Sequence, residues 1–141
     1  MSVAGTNSAP AKVGNPAQTG TVTFPALRDP RYPVHKIADQ LEPYLRVIVE
    51  KFHPEKIILF GSQTYGDPDE HSDVDLLIVR RGITSEKESN IEIRHAFWDV
   101  AGPAMSFTLL SRTPQELEQR LASHSPIFEE IIARGVELYA A

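Results

Sequence analysis

Two short motifs near the middle of the chain contain residue types that suit contact with phosphate groups and metal ions. Gly61 and Ser62 follow one apolar run, and Asp73 and Asp75 come just before another. Glycine allows the backbone to approach a ligand closely, and the free N–H groups at the start of a helix favour an anion. A triphosphate would suit such a turn. On its own, however, a Gly-Ser pair is also an ordinary way to end a strand.

The two aspartates give the stronger signal. Residues two apart on a strand point to the same side, so Asp73 and Asp75 present their carboxylates together. Like charges held this close repel unless a cation lies between them, and Mg²⁺ is bound by one or two carboxylates together with substrate phosphates. A solvated acidic loop is the alternative, because three acidic residues occur within 67–70. Against that alternative, the pair leads directly into the apolar run 76–79, where carboxylates need a partner.

The elements that must position these motifs alternate between helices and short strands. We predict strands at 57–60, 74–79 and 105–110, and a short terminal strand at 136–139. We predict helices at 34–52, kinked or split at Pro43, at 62–65, at 85–100, from 113 and from 125 to 134. This order predicts an α+β fold in which helices pack on a small mixed sheet.

The helix over 85–100 has a recognisable start. Ser85 and Glu88 have the spacing of a capping box. We expect Ile91, His95 and Trp98 to lie on its apolar side, with Trp98 in the core.

Composition and charge restrict the class of protein. The chain has 141 residues, is 41% hydrophobic and contains no cysteine. It has no apolar run of membrane-spanning length, so we expect a cytoplasmic protein without a membrane segment. Residues 34–141 carry eleven Lys/Arg against eighteen Asp/Glu. This acidic balance argues against nucleic-acid binding.

The first 33 residues differ from the rest in composition. They are rich in Ala, Gly, Pro, Ser and Thr and include five of the eleven prolines. Such a segment has few apolar groups to offset its ordering entropy. We therefore predict a disordered tail at 1–33 and a domain at 34–141, and we expect deletion of residues 1–30 to leave the melting temperature nearly unchanged.

The spacing of the two motifs resembles a known signature. Gly61-Ser62, ten residues, then Asp73-x-Asp75, with an apolar strand on either side, is similar to the motif of the DNA-polymerase-beta-like nucleotidyltransferase superfamily. The C-terminal half also resembles its minimal members: a strand, then Thr-Pro-x-Glu-Leu at 113–117, then a helix followed by Gly-Val-Glu-Leu-Tyr at 135–139. The resemblance covers about residues 34–139.

The resemblance implies a set of roles. Gly61 and Ser62 would hold the phosphates of a nucleoside triphosphate, and Asp73 and Asp75 would be catalytic ligands of Mg²⁺. The nucleotide would be ATP, and the acceptor a hydroxyl. The minimal members often act beside a HEPN-domain partner as toxin–antitoxin pairs, so a tyrosine of such a partner is one possible acceptor and a small molecule is another.

One departure from the family pattern concerns the third strand. The family usually has a third carboxylate there, six residues before the proline of the Thr-Pro turn, and counting back from Pro114 gives Thr108. Unless Asp99 or Glu116 replaces it, the trio of carboxylates is a pair. Two hypotheses follow: a Mg²⁺-dependent nucleotidyltransferase with a weakened site, or an impaired module of the same fold that acts by binding, as an antitoxin or a nucleotide sensor.

Overall fold

A computed structural model describes residues 22–69 and 72–141 of the chain. A four-stranded mixed sheet forms its centre. The strands are β1 (Lys56–Phe60), β2 (Val74–Val79), β3 (Phe107–Arg112) and β4 (Val136–Ala140), in the spatial order β3-β2-β1-β4. β1 is antiparallel to both β2 and β4, whereas β2 and β3 run parallel. The predicted α+β class is confirmed.

Helices cover both faces of this sheet. They are α1 (Ala38–Phe52), α2 (Ser62–Tyr65), α3 (Glu86–Phe97), α4 (Pro114–Ala122) and α5 (Pro126–Arg134). On one face, α1 and α3 bury side chains such as Leu45 and Ile93 against Leu59 and Leu76. On the other face, the helices α4 and α5 pack on Ile58, Leu77 and Val79. Among the described residues, no helix combines the length and the apolar character that crossing a membrane requires.

The expected boundary at residue 34 is wrong, because the chain joins the core earlier. Two short 3-10 helices, Pro25–Arg28 and Pro33–Ile37, precede α1. Phe24 is 3% exposed and Leu27 is fully buried in the α1 side of the core. The Arg28 guanidinium also bonds to the carboxylates of Asp39 at 2.8 Å and Glu42 at 2.7 Å. Buried apolar side chains and these ion pairs together hold the segment against the core. Residues 1–21 of the predicted tail lie outside the described residues.

The helix predicted over 34–52 is divided, but not at Pro43. Its first residues form the 3-10 helix that ends at Ile37, and α1 then continues through Pro43 to Phe52. Pro43 removes only one intrahelical N–H bond, to the carbonyl of Asp39 in the first turn.

The predicted apolar side of α3 is wrong. Trp98 is 79% exposed and Ile91 is 45% exposed, whereas Ser89, Ile93 and Ala96 face the core. The start of the helix is as predicted, since the Ser85 hydroxyl accepts the N–H of Glu88 at 3.1 Å. The buried side of α3 thus differs from the predicted one, and it includes the small side chains of Ser89 and Ala96. The hydroxyl of Ser89 donates to that of Ser111 on β3 at 2.9 Å.

The third strand lies two residues later than predicted, at Phe107–Arg112 rather than 105–110. A shift of two keeps every side chain on its expected face, since side chains alternate with period two. The predicted orientation of Thr108 therefore survives the shift.

Candidate active site

The turn between β1 and α2 lies directly against one of the aspartates. Gly61 has φ +79° and ψ −155°, a conformation that essentially only glycine adopts. A Cβ atom on Gly61 would lie 2.1 Å from Oδ2 of Asp75. The lack of a side chain at position 61 thus leaves room for the Asp75 carboxylate, independently of any ligand.

The helix that follows this turn is a single turn long. Thr64 bonds back to the carbonyl of Gly61 through its N–H at 3.0 Å and its hydroxyl at 2.7 Å, and the N–H of Gly66 bonds to the carbonyl of Ser62 at 3.0 Å. These bonds fix the turn. Because only four residues contribute, the helix dipole adds little, and any attraction for an anion must come mainly from individual N–H and hydroxyl groups.

The two aspartates and Thr108 lie together at one end of the sheet. Asp75 is opposite Phe60 in the β1–β2 ladder and beside Thr108 in the parallel β2–β3 ladder. The Thr108 hydroxyl donates to Oδ2 of Asp73 at 3.3 Å. These three side chains alternate in phase with Leu77, so they lie on the α4/α5 face of the sheet, beyond the part that those helices cover.

Burial and a neighbouring negative charge both act on the Asp75 carboxyl. Burial raises the pKa of the Asp75 carboxyl, the nearby hydroxyl of Thr108 opposes that rise, and the negative charge of Asp73 adds to it. In the geometry of the structure the single hydroxyl proton of Thr108 points to Asp73. The carboxylates and the hydroxyl supply only oxygen ligands. That donor set, with two like charges side by side, fits a hard cation such as Mg²⁺.

A third carboxylate does not complete the group within residues 22–69 and 72–141. No cluster of three or more His, Cys, Asp or Glu side chains there is arranged to hold a metal ion. Of the two substitutes considered from the sequence, Asp99 pairs with Lys51 at 3.2 Å, and Glu116 forms a capping box with Thr113 at the start of α4. Each therefore has a structural partner of its own.

Three residues near the site were missed by the sequence reasoning. The hydroxyl of Tyr65, at the end of α2, donates to Oε2 of Glu130 on α5 at 2.8 Å. The guanidinium carbon of Arg134 lies 3.7 Å from the centre of the Tyr65 ring. The hydrogen bond to Glu130 chiefly raises the pKa of Tyr65, and the charge of Asp75 also contributes. Glu130 and Arg134 are spaced as an i,i+4 pair on α5, but no sequence pattern links them to position 65, which only the tertiary structure brings beside them.

The other basic candidates lie elsewhere. Arg112 pairs with Glu86 at 2.6 Å, and Arg94 donates to the carbonyl of Phe107 at 3.0 Å. Arg120 lies over the ring of Phe128. Position 71, a histidine to which we assign no role, is outside the described residues.

Comparison with known proteins agrees with this geometry. A family model described as "Nucleotidyltransferase domain" matches residues 41–133, which span β1, β2, β3 and the helices around them. No curated protein sequence gives a significant match to the chain. The matched region covers well over half of the chain and includes Gly61, Ser62, Asp73, Asp75 and Thr108. The chain therefore belongs to the nucleotidyltransferase domain family.

Proposed function

We propose that this protein transfers a nucleoside monophosphate, AMP from ATP, to a hydroxyl acceptor, and that Mg²⁺ takes part. The observation that carries the proposal is the contact of the Gly61 turn with Asp75, with Asp73 and Thr108 beside it. A phosphate-binding turn and a pair of carboxylates at the same end of one sheet are the parts that nucleotidyl transfer requires.

Each residue has a distinct role in the proposal. The backbone at Gly61 and the hydroxyl of Ser62 bind phosphate oxygens of the nucleotide. Asp73 and Asp75 hold the metal. When bound, Mg²⁺ would neutralise phosphate charge and lower the pKa of the attacking hydroxyl.

Thr108 makes the site a weak one. A threonine hydroxyl is a neutral ligand and cannot accept the acceptor's proton at neutral pH. Instead, it donates a hydrogen bond to Asp73. We therefore propose slow transfer, with nucleotide binding retained.

The acceptor is the finer part of the proposal. The family resemblance supports a hydroxyl group, and the minimal members that it most resembles support a tyrosine of a HEPN-type partner protein. The acidic balance of residues 34–141 is consistent with a protein or small-molecule acceptor rather than a nucleic acid.

A second candidate is a nucleotide-binding module without transfer activity, such as an antitoxin or a sensor. The same observation at Thr108 favours it, because the third position offers no base and the described residues supply no replacement carboxylate. The retained Gly61–Asp75 contact argues that binding, at least, is still built into the fold.

One experiment tests the proposal and separates the candidates. Wild type, Thr108→Asp and the double variant Asp73→Asn/Asp75→Asn are incubated with labelled ATP, Mg²⁺ and candidate partner proteins, and Mg·ATP binding is measured by calorimetry.

We expect Mg·ATP binding in wild type and its loss in the double variant, because each carboxylate offsets the dehydration of the ion. Thr108→Asp should raise transfer on the order of 10²-fold, since it adds a positioned base. Binding without transfer in both wild type and Thr108→Asp would favour the binding module. Equal Mg·ATP affinity in wild type and the double variant would refute both candidates.

A further inference from the structure

The segment that forms the proposed nucleotide site contains no cation of its own. Between Ile57 and Val79 there are five acidic residues and no lysine or arginine. A triphosphate is strongly negative, and a metal held by two carboxylates neutralises only part of that charge. The remaining charge must be met by an element from another part of the chain.

The β1–β4 ladder brings Arg134 to this end of the sheet. Leu59 is paired with Val136, and the strands are antiparallel. The two residues before Val136 therefore lie level with Phe60 and Gly61, and α5 ends there at Arg134. A Cβ atom on Gly135 would lie 2.9 Å from the carbonyl oxygen of Leu59, which shows how closely the end of α5 approaches β1.

Contacts with α2 hold the Arg134 side chain beside the turn. Its guanidinium lies 3.7 Å from the centre of the Tyr65 ring, one helical turn after Ser62. Its ion pair with Glu130 is long, at 3.9 Å, and the Glu130 carboxylate already accepts the hydroxyl of Tyr65. The Arg134 side chain is 56% exposed. Stacking on an aromatic ring fixes the plane of a guanidinium and leaves its N–H donors free for other groups.

The remaining arginines on the α4/α5 face are less suitable. Arg112 is four residues after Thr108 along β3, about 13 Å away at the rise of a strand. It is only 16% exposed and pairs with Glu86 at 2.6 Å. Arg120 lies over Phe128, a residue that packs on Leu77 and Val79 rather than near Asp75.

We propose that Arg134, held on the ring of Tyr65 at the end of α5, binds the terminal phosphates of the nucleoside triphosphate. The inference rests on the proposed function and assigns to it a phosphate-binding residue outside the recognised motifs. Guanidinium groups bind phosphate oxygens through paired N–H donors, which Lys or Gln cannot reproduce.

Calorimetry with the full chain tests this assignment. Mg·ATP, Mg·ADP and Mg·AMP are titrated into wild type, Arg134→Gln, Arg134→Lys and Arg120→Gln. Arg120→Gln is the matched control, because it removes an exposed arginine of α4 that also lies over an aromatic ring, that of Phe128 on α5. The melting temperature of each variant checks that it is folded, and we expect no change because both arginines are exposed.

We expect Arg134→Gln to weaken Mg·ATP and Mg·ADP binding about tenfold or more and to leave Mg·AMP unchanged. Arg134→Lys should recover part of this loss, and Arg120→Gln should match wild type. If wild type and Arg134→Gln bind Mg·ATP equally, the assignment is wrong and the proposed function stands. If Arg134→Gln weakens all three nucleotides equally, the terminal-phosphate role is also wrong. If wild type binds no Mg-nucleotide, the proposed function fails, and this inference fails with it.

Discussion

The replacement Gly61→Ala tests the contact that builds the candidate site. Two separate costs follow from the structure. The backbone at φ +79° and ψ −155° must be held by a residue with a side chain, at about 1–3 kcal/mol. The new methyl group would lie 2.1 Å from Oδ2 of Asp75, so the carboxylate must rotate away. Moving a side chain off its rotamer costs about 0.5–1.5 kcal/mol. The sum is roughly 1.5–4.5 kcal/mol in the free energy of unfolding.

A matched glycine separates these two costs. Gly82 also has a positive φ, +76°, but a Cβ atom there would meet nothing within 4 Å. Gly82→Ala should therefore show the cost of a positive φ at a position where the new methyl group meets no other atom. Asp75→Ala supplies the other control, because the Cβ of Asp75 is 3.5 Å from the position of the new methyl group, an ordinary contact. Gly61→Ala should cost less in the Asp75→Ala background.

Urea unfolding of the wild type, Gly61→Ala, Asp75→Ala and the double variant Gly61→Ala/Asp75→Ala measures the coupling energy between the two positions. We expect a coupling of about 0.5–1.5 kcal/mol, the energy of moving the carboxylate. A coupling of zero would show that the carboxylate of Asp75 does not lie against Gly61, and would remove the geometric basis of the site. Mg·ATP binding of Gly61→Ala should also fall, since Asp75 has been displaced.

Three further predictions concern Asp75, Leu27 and Trp98. The pKa of Asp75 is raised in the folded state. The ionised carboxylate therefore lowers the free energy of unfolding at pH values above the folded-state pKa, and this destabilisation is lost as the pH falls below the unfolded-state pKa. Asp75→Asn should thus increase the free energy of unfolding at neutral pH and flatten its dependence on pH in the acid range, which urea unfolding at several pH values measures. A variant less stable than wild type at neutral pH would contradict the predicted direction of the pKa shift. Leu27→Ala should cost about 2–5 kcal/mol, because a fully buried leucine is truncated; a change below about 0.5 kcal/mol, as at surface sites, would return residues 22–33 to the tail. Trp98→Ser should change stability by less than about 0.5 kcal/mol, and the fluorescence of Trp98, the one tryptophan of the chain, should shift little on unfolding. A large blue shift in the folded state would mean that α3 faces the other way.

Local features of the chain were readable from the sequence because neighbouring residues decide them. The capping residues Ser85 and Thr113 begin helices where their spacing predicts. The strand at Val74–Val79 has the predicted bounds. The family resemblance pointed to Thr108 by its distance from Pro114, and the structure pairs it with Asp75 in the β2–β3 ladder.

Packing between distant segments decided the rest. The buried side of α3 combines the apolar Ile93 and Ala96 with Ser89, whose hydroxyl bonds to Ser111 on β3. The partner on β3 is not visible in the local pattern of α3. Phe24 and Leu27 belong to the core because they pack against side chains of α1 and the sheet. The average composition of residues 1–33 does not show this, since it does not distinguish two apolar positions from the rest of the segment. Arg134 lies near the end of the sheet that carries Asp75 because of the register of β4, which no local pattern contains. The sequence therefore determined the motif and the family, whereas the charge and the shape of the site were set by contacts between residues far apart in the chain, whose energies depend on the complete fold.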